Sequence, residues 1–248
     1  MIKTVLPLLA CFMSFTAIAQ QDTIRRADAD GRIFMQVNTD GVLAEEGYTQ
    51  NGLADGIWTT YQLWGYPKYI TTYKNGKKHG VRIETNGIGG VAKLENYKDG
   101  LLEGPTRIYS REARELEVTF YSKGKKHGMY KKSYDDGKPQ ETANYNYDKR
   151  DGRAMWYSTS GSPLVQYEFR NDMKEGESAV YYANGNVKEQ GSYSNDVQAG
   201  LWKEFHENGN IKSEGKYEEG EKTGEWKEYD QNGKYVKSVK YQKAKKRK

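Results

Sequence analysis

The sequence predicts an all-β protein, an elongated repeat array of antiparallel β-hairpins with a period of 24 residues and about eight to nine copies. Three periodic columns predict this fold class. The first is a glycine that recurs without insertion or deletion, at Gly56, Gly80, Gly104, Gly128, Gly152, Gly176, Gly200 and Gly224. The second is an aromatic residue 17 positions after each of these glycines, at Tyr73, Tyr97, Tyr121, Tyr145, Phe169, Tyr193, Tyr217 and Tyr241. The third is a pair of positions, nine and twenty residues after the same glycines, that mostly hold Gly or Asp, as tight hairpin turns require.

The N-terminal residues 1–19 are interpreted as a secretory signal peptide. An apolar run from Val5 to Ile18 leads to a small-x-small cleavage site that ends at Ala19. We therefore expect export to the periplasm, the cell envelope or the medium after cleavage near this residue. The alternative is a lipoprotein signal that uses Cys11, which a shorter apolar run precedes. Because this is the only cysteine, the processed chain would form no disulfide.

The repeat array is expected to span residues 32–242. Residues 20–31 are interpreted as an N-terminal linker, and residues 243–248 as a basic C-terminal tail. The first copy is degraded, because Arg32 stands where the glycine is expected and Thr49 replaces the aromatic residue. Atypical terminal copies are usual in repeat proteins.

Each copy is predicted to be one hairpin whose first strand opens at the recurrent glycine and whose return strand ends at the aromatic residue. In the return strand, Ile211 and Tyr217 alternate with Lys212, so the apolar side chains share one face. The first strand is less regular. Trp202 and Phe205 are three positions apart and cannot share a face of a regular strand, so a bulge or a twist is expected between them.

The composition favours a thin layer over a thick core. Hydrophobic residues make up 35% of the chain, and the mean hydropathy is -1.00. Tyrosine and tryptophan supply much of the apolar area and keep a polar tip for the edge of such a layer. At about 4.8 Å per strand, nine hairpins would extend on the order of 85 Å. The column of eight aromatic residues is therefore interpreted as a structural ladder that contacts between neighbouring copies stabilise.

The net charge of +5 is a property of the C-terminal tail. Five cations lie there, namely Lys243, Lys245, Lys246, Arg247 and Lys248, and the repeat body is close to neutral. One interpretation is a solvated chain end. The other is a contact site for an anionic partner such as a lipid headgroup or an envelope polymer. Nucleic acid is not an expected partner of an exported chain with a neutral body.

The sequence predicts no catalytic residue, no cofactor and no metal site. His79 and His127 occupy the same turn position two copies apart, roughly 19 Å along the stack, which is too far to share a metal ion. Carboxylates are numerous, but no two of them are isolated in an apolar setting that would separate their pKa values. The glycines around Gly89 lack the following helix that a phosphate-binding loop needs. We therefore expect a protein that is not an enzyme.

A family resemblance is clearest in the segment from Gly200 to Tyr229, which reads GLWKEFHENGNIKSEGKYEEGEKTGEWKEY. This segment resembles the bacterial variant of the MORN repeat, as found in YwqK-family antitoxin-like proteins. The resemblance covers nearly all of the mature chain and is weaker where Arg82, Thr106 and Ala154 stand in the tryptophan position. It implies an elongated, twisted antiparallel sheet with a groove. It also implies use as a scaffold, as a lipid-headgroup or membrane-associated module, or as a partner that neutralises a toxin.

One column on the face opposite the aromatic ladder changes character along the chain. It holds Ile70, Leu94 and Val118 in the N-terminal half, and Gln166, Gln190, Glu214 and Ser238 in the C-terminal half. One interpretation is structural, with the first half curled on itself or covered by residues 20–31. The other is a docking strip for a partner.

Two functions from different classes follow from these observations. The first is a non-enzymatic exported repeat scaffold of the cell envelope that binds a protein or an envelope polymer. The alternative is an antitoxin or immunity-type inhibitor that neutralises one partner toxin. An envelope glycan-processing enzyme is a third and more distant reading. A protein partner is expected in the first two cases, and the mature chain is expected to have no transmembrane span.

Overall fold

The structure is a computed structural model that describes residues 20–242, and within this range every regular element is a β-strand. The prediction of an all-β array of antiparallel hairpins is confirmed. In chain order the strands are β1 Gln21–Ala27, β2 Ile33–Thr39, β3 Val42–Gln50, β4 Leu53–Tyr61, β5 Pro67–Lys74, β6 Lys77–Thr85, β7 Val91–Lys98, β8 Leu101–Leu102, β9 Gly104–Tyr109, β10 Glu115–Ser122, β11 Lys125–Ser133, β12 Pro139–Asn146, β13 Lys149–Arg150, β14 Gly152–Tyr157, β15 Pro163–Arg170, β16 Met173–Tyr181, β17 Val187–Ser194, β18 Val197–Phe205, β19 Ile211–Glu218, β20 Glu221–Tyr229 and β21 Tyr235–Tyr241.

The 21 strands form one antiparallel sheet in which, apart from the pieces β8 and β13, each strand pairs with the next along the chain. Two strands are interrupted. The pieces β8 and β9 both pair with β7, and the pieces β13 and β14 both pair with β12. Each pair of pieces occupies the place of one first strand of a hairpin. The first and last strands, β1 and β21, lie at the two ends of the sheet.

The molecule is a single layer with a large surface. Its accessible area is 17028 Å². A compact protein of 28.4 kDa would expose about 11,200 Å². The contacts between elements run between strands that are neighbours in sequence, so no second layer lies over either face within the described residues. Stability therefore comes from contacts between adjacent strands, as in other repeat proteins.

Two kinds of turn alternate along the sheet. The return strand and the next first strand are joined by a two-residue turn such as Asn75-Gly76, in which both residues have positive φ, 49° and 75°. That is the geometry of a type I′ turn, which matches the twist of a hairpin. The two strands of one repeat are joined by a five-residue turn. In its first full copy, the Gln62 amide donates to the Tyr66 carbonyl over 2.8 Å, and Gly65 has a φ of 83°.

The recurrent glycine opens a strand, as expected, in only two copies, at Gly104 of β9 and Gly152 of β14. In the other six copies it lies inside the first strand at a β-bulge. Strand β6 begins at Lys77, and Gly80 follows with a φ of 94°. The register shifts here, because Thr71 pairs with Arg82 whereas Tyr73 pairs with Lys78. Glycine is favoured at this position because the bulge requires a left-handed backbone.

In the eighth copy, the register of the first strand shifts at two places, and one of them lies between Trp202 and Phe205, as expected. Opposite β17, the register shifts between Gln190 and Ser192, which face the stretch around Gly200. A second shift, opposite β19, lies between Glu204 and Phe205. The first strand is thus irregular at both of its ends.

The segment that was interpreted as a linker, residues 20–31, contains strand β1. All seven residues of β1 pair with β2, from Gln21 opposite Thr39 to Ala27 opposite Ile33. The segment extends the sheet at its edge and does not cover the apolar column of the N-terminal half. The degraded first copy forms the hairpin β2–β3, as the repeat phase predicts.

Candidate interaction surfaces

The buried centre of the molecule is one row of residues that crosses the sheet on a single face. We call it the central row, its side of the sheet the row face, and the other side the outer face. In strand order the central row is Gly47, Trp58, Thr71, Arg82, Glu95, Thr106, Thr119, Tyr130, Ala143, Ala154, Tyr167, Ser178, Gly191, Trp202, Gly215, Trp226 and Val239. Most of it is closed to solvent, with Ala154 at 0%, Thr119 at 2% and Trp226 at 2% exposure.

Large and small residues alternate in the central row. A Cβ atom on Gly191 would lie 2.2 Å from the ring of Trp202, and one on Gly215 would lie 2.3 Å from the ring of Trp226. Each indole also donates a hydrogen bond to a backbone carbonyl, over 3.1 Å in both cases. The tryptophan can fill its position only because the neighbouring strand carries no side chain there.

The eight predicted ladder residues lie beside the central row. In the C-terminal half their rings meet those of the row edge to face, with centroids 5.4 Å apart for Tyr193 and Trp202 and 5.3 Å for Tyr217 and Trp226. Phe169 contacts Trp156, Tyr145 contacts Tyr130, and Tyr241 contacts Trp226. Tyr73, Tyr97 and Tyr121 are half-buried. Arg82 and Thr106 stand in the tryptophan position in the copies of Tyr97 and Tyr121, whereas Tyr73 lines a shallow hollow together with Trp58 of its own copy.

Cations lie over several of these rings. The ammonium group of Lys174 is 3.9 Å from the centroid of Tyr167, and that of Lys222 is 3.9 Å from the centroid of Trp226. Arg150 lies over Trp156 and Phe169 in the same way. The ring faces are thus covered by neighbouring rings and by cations. They stabilise the sheet and are not an open platform on which a sugar or a base could stack.

A charged cluster interrupts the central row in the N-terminal half. The guanidinium of Arg82 donates to the carboxylate of Glu95 over 2.7 Å, and Lys93 lies 2.7 Å from the other oxygen. Burial by itself would raise the pKa of Glu95, but the hydrogen bonds from Lys93 and Arg82 outweigh it and hold this pKa below its usual value. Burial beside this carboxylate also raises the pKa of Tyr97 to about 12.

The outer face carries an apolar strip across β4–β11. This outer strip consists of Ile57, Ile70, Val81, Ile83, Leu94, Val118, Phe120 and Met129. Val118 is buried, whereas Ile57 is 59% and Met129 is 49% exposed. The strip is wider than the single column expected from the sequence, because residues one, three and sixteen positions after the recurrent glycine share its face.

The same outer columns are polar in the C-terminal half. Glu177, Lys203, Glu214, Glu225 and Lys227 stand there. Leu201 is the apolar exception among them, at 67% exposure, and it lines two shallow hollows together with Lys203.

The five-residue turns form a ridge along one side of the sheet, where the strands end. Side chains of one turn donate to carbonyls of the next, for example Gln62 to Asn86, Tyr134 to Tyr157 and Asn208 to Gln231. The first two turns of this turn ridge carry apolar tips, at Leu63, Trp64, Tyr66 and Ile88. Leu63 is 83% and Trp64 is 79% exposed. The corresponding tips of the later copies are polar or small, so the N-terminal end of the turn ridge differs from the rest.

The two-residue turns, at the other ends of the strands, form a row that we call the basic edge in the same part of the chain. Exposed lysines lie at or next to its two-residue turns, namely Lys74, Lys77, Lys98, Lys123, Lys125 and Lys149. The apolar tips and the lysines are thus separated by the length of a strand, about 30 Å for nine residues.

The three histidines occupy separate turn environments. His79 lies 3.3 Å from Asp99, His127 stacks on Tyr147 at 4.6 Å, and His206 lies 2.9 Å from the carbonyl of Tyr229. Within residues 20–242 no group of three or more His, Cys, Asp or Glu side chains is placed to hold a metal ion. The same residues contain no helix that could cross a membrane. The predicted signal peptide and the cations Lys243, Lys245, Lys246, Arg247 and Lys248 lie outside the described residues.

A single-layered antiparallel sheet of repeated hairpins, with a buried central row and open faces, is the architecture of a repeat protein. Four of its segments match the MORN repeat variant, at residues 126–147, 174–195, 198–219 and 222–243. These four segments are thus similar to MORN repeats, which suggest a binding or scaffold role. The other hairpins of the sheet continue in the same 24-residue phase.

Comparison with solved structures and curated proteins adds little to this family match. A chain of the Photorhabdus luminescens Tc holotoxin pore is similar over 82% of this chain, at 12% identity and with a TM-score of 0.17. The present chain spans 13% of the length of that chain. No curated protein matches the sequence.

Proposed function

We propose that the protein is an exported, non-enzymatic repeat scaffold that binds a protein or a polymer of the cell envelope. The observation that carries the proposal is the division of roles within the single layer. The central row and its covered rings hold the sheet together, and the outer strip, the turn ridge and the basic edge remain open to solvent. An extended surface of this kind binds through shape and through a few apolar anchors.

The turn ridge supplies the most exposed anchors for a protein partner. Leu63 and Trp64 protrude at the tip of a turn that is hydrogen-bonded to its neighbour, so little conformational entropy is lost when they become buried. Tryptophan is also the residue type most enriched among the side chains that dominate binding energy. The basic edge and the C-terminal tail would add attraction for an anionic envelope surface.

A pull-down from envelope extract tests this function. The wild-type chain should recover a partner, the double variant Leu63→Ser with Trp64→Ser should lose it, and Leu201→Ser should retain it as the matched control. If the wild type recovers nothing above background, with or without residues 243–248, the scaffold function is contradicted. Loss of the partner in the control would instead place the contact on the C-terminal part of the outer face.

Export is tested separately. Cell fractionation and mass spectrometry should find the chain outside the cytoplasm with Gln20 as its first residue. Recovery of an intact N-terminus in the cytoplasm would contradict export and leave the binding function to be judged by itself.

The alternative is an antitoxin or immunity-type inhibitor related to the YwqK-like proteins. The exposed Leu63-Trp64 tip favours this alternative, because an inhibitor needs a compact anchor that inserts into one partner. Co-expression with a toxin encoded beside this chain should restore growth, and the Leu63→Ser, Trp64→Ser variant should fail to do so. Absence of a neighbouring toxin, together with absence of rescue, would remove this alternative.

A further inference from the structure

The outer strip is an apolar surface on a sheet that has no second layer. Across β4–β7, the eight central positions of the outer face are Ile57, Thr59, Ile70, Thr72, Val81, Ile83, Leu94 and Asn96. None of these residues is charged, although 29% of the whole chain is charged. The equivalent positions in the C-terminal half include Lys203, Glu214 and Lys227. Charged residues on an open face disfavour pairing with a like surface, and β4–β7 lack them at these positions. Further along the strip, Arg107 of β9 lies between Leu94 and Val118, and its guanidinium is 3.1 Å from the carboxylate of Glu115.

The two ends of the outer strip carry opposite charges. Glu46 lies at one end, on β3, where it accepts hydrogen bonds from Tyr61 and Gln36. Lys131 lies at the other end, on β11, between Val118 and Thr142 of the neighbouring strands. The middle of the strip falls between Ile83 and Leu94, which face each other on β6 and β7.

We propose that a second copy of this chain packs on the outer strip, face to face, to form a two-fold symmetric dimer. The symmetry axis would run parallel to the strands, between β6 and β7. This operation reverses the order of the strands, so Glu46 of one copy faces Lys131 of the other, and Ile57 faces Phe120. Ile70 of one copy faces Arg107 of the other, whose charge is compensated by Glu115 of its own chain. Two sheets packed in this way lie about 10 Å apart, with their strands within about 30° of each other.

The size of the strip sets the strength of the dimer. Seven strand spacings of about 4.8 Å give a length of about 34 Å, and two rows of side chains give a width of about 14 Å. Each copy therefore contributes about 480 Å², and the two together about 950 Å². Interfaces below about 1,200 Å² are weak and reversible. The dimer should form at micromolar or higher concentrations.

Sedimentation velocity of the full chain over about 1–300 µM tests the proposal. The weight-average mass of the wild type should rise towards that of a dimer. Ile57→Glu and Met129→Glu, at opposite ends of the strip, should each weaken the association at least about tenfold. Glutamate is compatible with the fold at this column, because Glu177 and Glu225 already occupy it. Leu201→Glu is the matched control in the same column, and its association should equal that of the wild type.

A charge exchange supplies a second test that spares the apolar residues. Lys131→Glu should weaken the dimer, and the combination Glu46→Lys with Lys131→Glu should restore it, because the two changes exchange the signs across the interface. Circular dichroism should show the same sheet content in every variant. If one end variant loses the fold, the other end variant and the charge exchange still decide the question.

Three results would overturn the proposal. They are a wild type that stays monomeric over the whole range, strip variants that associate as the wild type does, and a Leu201→Glu control that loses the dimer equally. Association that persists in the strip variants would place the contact elsewhere, for instance on the edge strands or on residues 1–19. The measurement needs no envelope partner, so its failure would leave the proposed scaffold function standing.

Discussion

The ring of Trp226 occupies the space above Gly215 on the neighbouring strand, so close that a Cβ atom on this glycine would lie 2.3 Å from the ring. Trp58 and Gly47 repeat the relationship at the other end of the sheet, at 2.4 Å. In the central row, tryptophan stands only where the residue eleven positions earlier is glycine. The pair is thus a unit of the fold, and each member determines which residues its partner position can hold.

Substitution of this glycine should destabilise the sheet. Gly215→Ala places a methyl group inside the van der Waals radius of the Trp226 ring, and overpacking of this kind costs about 1–3 kcal/mol. The midpoint of urea denaturation should fall accordingly. Gly87→Ala is the control, because no atom lies within 4 Å of its added Cβ and its φ is not in the left-handed region. Equal effects of the two substitutions would show that the ring moves aside without cost.

The Arg82–Glu95 pair should make stability depend on pH. The pKa of Glu95 is lowered in the folded state, so its contribution is complete above the unfolded value near 4.5 and is lost as the pH falls through the folded value. The midpoint of urea denaturation of the wild type should therefore shift to lower urea concentration in this acidic range. Glu95→Gln should lack this part of the pH dependence. It should also be less stable at pH 7 by about 3 kcal/mol, because the largely buried Arg82 then keeps only the longer contact with Glu84, at 3.6 Å, as a charged partner.

The next repeat supplies the control for this pair, since Thr106 faces Thr119 at the same two positions. The double variant Arg82→Thr with Glu95→Thr copies that arrangement and should recover most of the stability that Glu95→Gln loses. If the double variant is as unstable as the single one, the loss comes from packing and not from an unpaired charge.

Tyr147 stands at a turn position that favours asparagine. Its φ is 47°, and the equivalent residues Asn75, Asn171 and Asn195 have φ near 50°. Asparagine tolerates this left-handed conformation better than tyrosine does, so Tyr147→Asn should raise the free energy of unfolding by about 1 kcal/mol. Thermal denaturation measures the change, and Asn171→Tyr should produce the opposite shift. A loss of stability in Tyr147→Asn would mean that the ring contact with His127 outweighs the backbone strain.

Small-angle scattering should show an elongated particle. Nineteen strand positions at about 4.8 Å give a maximum dimension on the order of 90 Å along a flat sheet, and twist would shorten it moderately. A globule of the same length would have a radius of gyration of about 17 Å. The radius of gyration measured at low protein concentration should therefore be clearly larger than that of the globule. A value close to that of the globule would be incompatible with a single open layer.

The period of 24 residues was sufficient to predict the hairpins, the turns and their order along the sheet. This prediction succeeded because each position of the repeat has its own local requirement, such as a positive φ or an aromatic side chain. The same requirement returns whenever the same local structure returns. The start of strand β6 was wrongly predicted at Gly80 for the same reason. A recurrent glycine indicates a left-handed residue, and it does not by itself distinguish a strand end from a bulge inside a strand.

The surfaces could be predicted only in part. The column of Ile70, Leu94 and Val118 was visible in the sequence. The bulge on β6 also places Val81 and Ile83 on the outer face with this column, which the simple alternation of a regular strand does not predict. The linker prediction for residues 20–31 failed because a lone edge strand such as β1 lacks the repeat signature and is recognised only through its pairing with β2.

The sequence by itself determined that this chain is an array of hairpins, because each turn and each ladder residue obeys local steric rules. Only the tertiary structure decided which aromatic rings are enclosed and which side chains stay open. Enclosure depends on what surrounds each residue in space. The glycine below Trp226 lies on the neighbouring strand, and the cation above it is Lys222 of the same strand, brought over the ring by the local backbone geometry.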